Sequence, residues 1–128
     1  MFSDTQSIME AIRRSLPEMD ISAGLDFCCN DEDFFITILQ DYIGADRVKN
    51  LCEMYGASDW SLYRIAAHST KSTSKTVGLT SLSDRFLGLE TAAKESDIGY
   101  IHANHAAAVS ELERVMNILK SIVPPSEE

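Results

Sequence analysis

Apolar residues recur every three or four positions through most of the chain. No stretch shows the strict apolar–polar alternation of a half-buried strand. The longest regular run predicts a helix capped by Asp97, with a seam of Ile98, Ile101, His105, Ala108, Leu112, Val115, Leu119 and Ile122, ended by Pro124 and Pro125. Before it, Ser81 opens a helix with Leu82, Phe86 and Leu89 facing inward. The helix preceding that one is capped by Ser58 or Asp59. Its apolar face reads Leu62, Ile65 and Ala66, continues through Ser69 and Ser72, and is ended or bent at Gly78. A further run, Phe35, Ile38, Leu39, Tyr42, Val48 and Leu51, starts at Asp31. Glu32 and Asp33 then sit at the positive end of that helix. Gly44 weakens its continuity and Gly56 marks its break. Ser3 or Asp4 caps a short first helix bearing Ile8, Met9 and Ile12, which stops before Pro17. Met19–Asn30, with Gly24 inside it, reads as a linker.

Amphipathic helices joined by short turns predict an all-α fold, an antiparallel four-helix bundle with a short additional N-terminal helix. The expected organisation is one domain over residues 1–128, with the short helix at about 4–15, the bundle at about 31–122 and a polar tail at 123–128. The short helix is expected to lie across one end of the bundle.

Composition narrows the function. With 128 residues, 45% of them hydrophobic, the chain can form a core and does not read as disordered. Its 20 Asp and Glu against 11 Lys and Arg give a net charge of −9, which argues against nucleic acid and against an anionic membrane surface. The acidity is uneven. Between Trp60 and Lys94 there are five basic residues and two acids, a net of +3, whereas the remaining 18 acids and 6 bases sum to −12. Three Cys, with Cys28 and Cys29 adjacent and no CxxC, form neither a disulfide framework nor a zinc motif. The stretch MFSDTQSIMEAIRR lacks the basic and apolar regions of a signal peptide, and no apolar run reaches transmembrane length. A reduced, cytoplasmic setting is expected, and the initial Met and short polar tail favour a free-standing protein.

The basic segment carries the candidate chemistry. On a helix turning about 100° per residue, Arg64, His68, Lys71 and Lys75 fall in a strip roughly 40–60° wide. Small residues, Ala67, Ser69, Thr70, Ser72 and Thr73, surround His68 and would let another protein approach closely. Neutral imidazole is a competent nucleophile, and nearby ammonium groups stabilise a phosphoryl group in transit. A boundary histidine beside a solvated cationic stripe satisfies the same spacing. Other chemistry finds less support. His102 and His105 are spaced i, i+3, but without a Glu-x-x-His pair a boundary position is expected for His105. Trp60 reads as a packing anchor. There is no Walker A motif, no Gly-rich phosphate loop and no nucleophile elbow.

The same residues carry a family resemblance. Ala67–His68, Lys71, Ser74, Gly78, Leu82 and Leu89–Glu90 follow the spacing of the histidine-containing phosphotransfer (HPt) domains of multistep two-component phosphorelays. Residues 19–35, ending in the acidic run before Phe34 and Phe35, resemble the segment leading into that family's second helix, and Asp59–Trp60 resembles the start of its histidine helix. The likeness spans roughly residues 19–120. Two positions depart from the family pattern: Thr70 stands for the usual Leu and Ser72 for the usual Gly, a small-for-small exchange that preserves close approach.

The resemblance implies that His68 accepts a phosphoryl group from the aspartyl phosphate of a receiver domain and passes it to another receiver. Lys71 would support the phosphoryl group, and Glu90 would orient the imidazole from the neighbouring helix. Arg64, Ala67, Thr70, Ser72, Lys75 and Gly78 would meet the partner. Such a chain is a phosphoryl carrier, not an enzyme with its own ATP site. It needs no cofactor, Mg²⁺ being held by the receiver. Its expected partners are response-regulator receivers, including those of a hybrid histidine kinase. The competing reading is a helical interaction module that binds receiver or signalling partners without being phosphorylated.

Overall fold

The computed structural model describes residues 4–126, and among them there are seven helices and no strand. The helices are α1 (Thr5–Ser15), α2 (Ile21–Phe27), α3 (Glu32–Gly44), α4 (Arg47–Gly56), α5 (Trp60–Thr76), α6 (Thr80–Lys94) and α7 (Ile98–Ile122). Six of the seven start from an aspartate. The carboxylates of Asp4, Asp20, Asp31, Asp46, Asp59 and Asp97 accept the backbone N–H of Ser7, Ala23, Phe34, Lys49, Leu62 and Tyr100 respectively. Each satisfies a donor that the first turn leaves without a partner and adds negative charge at the positive end of the helix dipole.

Several boundaries differ from the expectation. Asp4 caps α1; the alternative, Ser3, lies outside the described residues, as do Glu127 and Glu128 of the tail. The Met19–Asn30 segment is not a plain linker, because Asp20 caps the short helix α2 within it. Gly24 belongs to that helix. A Cβ at this position would press on the Phe35 ring of α3, so its absence allows the two helices to meet. The long run after Asp31 is two helices. Ala45 is extended and Asp46 caps anew, so the chain turns between α3 and α4 just after Gly44. α6 begins at Thr80, after Leu79, with no side-chain cap, so Ser81 is inside the helix and does not open it.

Gly78 ends α5 as expected, and the geometry explains why it is glycine. Its φ is +88°, its N–H donates to Lys75 O at 3.0 Å, and Leu79 N–H donates to Ser74 O at 2.8 Å. This is the glycine-centred helix stop that satisfies the last carbonyls. The Gly78 carbonyl then accepts the Asp20 N–H at 2.8 Å, tying the α5–α6 turn to the start of α2, and a Cβ there would collide with the Asp20 carbonyl.

α5 and α6 form the most extensive helix pair. α6 also packs on α7, and α4 packs on both α5 and α7. α1 lies against α7 and α3, and α2 against α5 and α3. One contiguous cluster of buried residues joins Met9 and Ile12 of α1, Phe35, Leu39 and Tyr42 of α3, Leu51 of α4, Tyr63 of α5, Phe86 and Leu89 of α6, and Ile101, Leu112 and Leu119 of α7. The α7 seam is buried as its periodicity predicts, except for partly exposed Ile98. No helix among the described residues is long and apolar enough to cross a membrane.

Candidate functional site

α5 presents a different face to the core from the one its apolar residues predict. Of the expected inward positions only Ala66 is buried, whereas Leu62, Ile65, Ser69 and Ser72 are exposed. The buried face is Tyr63, Ala66, Ala67, Thr70 and Ser74. α5 is flanked by α4, α6 and α2, so its inner side meets close neighbours and takes small or hydrogen-bonded residues. Thr70 donates its hydroxyl to Ala66 O at 2.9 Å, and Ser74 Oγ pairs with Tyr42 OH at 2.7 Å. The two large aliphatic side chains of this helix, Leu62 and Ile65, therefore face solvent, with Ile65 64% exposed.

That rotation corrects part of the expected partner surface. Ala67, Thr70 and Gly78 are buried and offer no side chain to a partner. Arg64, Ser72 and Lys75 are exposed, on the same side of the helix as His68. Leu87, one turn before Glu90 on α6, adds another exposed apolar side chain.

His68, Lys71 and Glu90 come together. The His68 side chain is 58% exposed and its Nδ1 lies 2.7 Å from Glu90 Oε2. Lys71 Nζ lies 2.7 Å from Glu90 Oε1, an ion pair whose angle falls outside hydrogen-bond geometry, and 3.4 Å from His68 Nδ1. Glu90 is only 17% exposed. Burial by itself pushes its carboxyl up, but Lys71 and His68 more than offset this and hold it below the usual glutamate range. Glu90 is therefore an anion at neutral pH, and Nδ1–H of His68 donates to it. Nδ1 cannot at once accept from Lys71, so the ammonium belongs to the carboxylate. The remaining ring nitrogen, Nε2, takes no part in these contacts.

Lys71 thus sits on the Glu90 side of the imidazole and fixes the group that orients the ring. Ser83 on α6 donates its hydroxyl to Lys71 O at 2.9 Å and locks the two helices in register at this level. His68 and Glu90 also line an open groove of about 730 Å³ between the first half of α5 and the last turns of α6. Trp60, Arg64, Ile65 and Lys94 line it too, so its walls mix apolar surface with polar groups and two cations. Lys94 was not singled out from the sequence, because its place in this groove depends on how α5 and α6 pack.

The other histidines have partners. Tyr63 OH lies 2.7 Å from His105 Nδ1, and Tyr55 OH 2.8 Å from His102 Nδ1. The Tyr55 and His105 rings stack at 3.8 Å between centroids, with Trp60 edge-on to Tyr55 and Tyr63. Burial pushes the Tyr63 hydroxyl up and the His105 imidazole down, so the phenol donates and the ring stays neutral. Trp60 anchors this cluster at the start of α5. Cys28 is buried, Cys29 and Cys52 are exposed, and all three are free. No three His, Cys, Asp or Glu among the described residues are placed to hold a metal ion.

No protein-family model, no curated protein and no solved structure matches the chain.

Proposed function

We propose that the chain is a histidine phosphotransfer protein. It would carry a phosphoryl group on His68 between receiver domains of a two-component phosphorelay, on a four-helix bundle built from α3 with α4, α5, α6 and α7. The observation that carries this reading is an exposed imidazole whose Nδ1 is held by a half-buried, ionised carboxylate, which a lysine anchors in turn.

The arrangement suits nucleophilic attack on an acyl phosphate. Nε2 of His68 attacks phosphorus; the N–P bond forms as the P–O bond to the donor aspartate breaks, and the electron pair leaves with that carboxylate. No proton has to move, because Nδ1 already holds its own. The ring gains positive charge as the bond forms, and Glu90, 2.7 Å from Nδ1, stabilises that charge. The reverse step returns the phosphoryl group to a second receiver. The chain supplies a nucleophile on a rigid helix pair, and the receiver supplies the Mg²⁺ that polarises the acyl phosphate. Arg64 and Lys75 favour approach of an acidic surface, while Leu62, Ile65 and Leu87 provide apolar contact around the acceptor.

The test is transfer of label from a phosphorylated receiver to the purified chain. The expected result is phosphate on this protein that is labile in acid and stable in base, and that is absent from His68→Gln. Binding of receivers without any transfer would instead establish the interaction module.

A further inference from the structure

Arg47, the first residue of α4, has a role that the pattern of the sequence does not announce. Its side chain crosses to α5, where Nη1 donates to Ser69 Oγ at 3.3 Å. The guanidinium carbon lies 5.1 Å from the centroid of the Tyr42 ring. It is the one arginine of six that is not exposed, and its Nε is sealed from solvent with no hydrogen-bond partner.

No carboxylate answers it. Arg47 belongs to none of the ion pairs among the described residues. Trp60–Thr76 contains no Asp or Glu, and the neighbouring Asp46 directs its carboxylate to Lys49 N–H. A guanidinium partly withdrawn from water, with one hydroxyl and one ring face as partners, retains a planar fork of unused donors. Ser69 directly follows His68 and is exposed, so this fork stands on the α4 edge of the acceptor's face. Lys71 and Glu90 occupy the α6 edge.

We infer that Arg47 is a docking residue for the phosphodonor, taking an acidic side chain of the receiver surface at the rim of the His68 face. This rests on the phosphotransfer reading. It makes α4 part of the recognition surface and gives the face a second point of contact, which fixes the orientation of the incoming receiver as well as its approach.

Two variants test it. Arg47→Met keeps an unbranched stem and removes the fork; Arg47→Lys keeps the charge alone. Both are compared with wild type for transfer from a phosphorylated receiver that labels the wild-type chain, at increasing receiver concentration. Arg47→Met is expected to raise KM about tenfold and leave kcat within about twofold, the signature of a lost charge-assisted contact made before the chemical step. Arg47→Lys is expected to fall between the two, and it reads the same split if Arg47→Met does not fold. A KM within about twofold of wild type in the folded variants overturns the inference. So does a lowered melting temperature with KM unchanged, which would make Arg47 only a tie between α4 and α5. If the wild-type chain takes no label from any receiver, the phosphotransfer reading itself fails; if wild type is labelled and the variants match it, this inference alone is lost.

Discussion

Glu90 engages two partners with its two oxygens, and the proposed chemistry of His68 depends on that division. Oε2 fixes Nδ1–H, Oε1 takes the ammonium of Lys71, and both contacts are 2.7 Å. Removing the carboxylate frees the ring to rotate and to change tautomer. Glu90→Ala is therefore expected to slow labelling by about ten- to a hundredfold, the size of effect that follows when a metal-ligating imidazole loses the group that orients it, with the phosphate still on His68. Lys71→Ala should keep its fold and slow the transfer as well, because Glu90 then loses its anchor. Rates equal to wild type in both variants would remove the orienting role. This triad was legible in the sequence because His68 and Lys71 share one helix face at i, i+3, and Glu90 falls at the family's spacing on the next helix. Ala67 and Thr70 were misplaced on the partner surface because local periodicity does not say which side of a helix has room. Arg47 was invisible because its contact joins residues 22 apart in sequence, and only packing brings them together.

At the scale of elements, the α5–α6 turn sets the geometry that residues alone cannot. Gly78 closes α5, starts the approach to α6 and holds the Asp20 N–H, so three helices meet at one positive-φ glycine. Gly78→Ala is expected to cost about 1–3 kcal/mol in urea unfolding, since a side chain must adopt a left-handed conformation and displace the Asp20 carbonyl. An unchanged unfolding midpoint would contradict this. α7 was legible from its long seam, where many turns repeat one pattern. α2 was missed because seven residues with a glycine inside give too little periodicity; the signal present was Asp20 itself, placed as an N-cap. The break between α3 and α4 was foreshadowed by Gly44 but fixed by Asp46, which starts a new helix where an unbroken one would carry on. The face of α5 was misread because Leu62 and Ile65 are apolar for a surface use, while the core side is made of Ala, Thr and Ser with hydrogen bonds closed locally.

For the whole molecule, the net charge of −9 divides into parts with different work. Six of the 20 acids cap helices, and Glu90 pairs with His68, so a share of the acidity is structural and local. α5 has no acid at all and carries the positive face. Buried His105 adds a pH dependence to the stability of the whole. Its folded pKa lies below the ordinary value of 6.5, so the unfolded chain binds a proton more readily. Stability is then fully present above about pH 6.5 and declines as the pH falls below it. Glu90, whose pKa is lowered from 4.5, contributes stability that is lost only at more acid pH. Urea midpoints between about pH 5 and pH 7 should rise with pH in wild type and rise less in His105→Gln, which can still accept from Tyr63 OH. An equal slope in both proteins would show that His105 is not the group responsible. The central claim is narrower than stability: Nε2 of His68 is the acceptor because Nδ1 is already taken by Glu90. Phosphorus and nitrogen NMR of the chain after labelling by a receiver resolves which ring nitrogen bears phosphate. The account predicts one phosphohistidine, at Nε2 of His68. Phosphate at Nδ1, or on any residue other than His68, would contradict it.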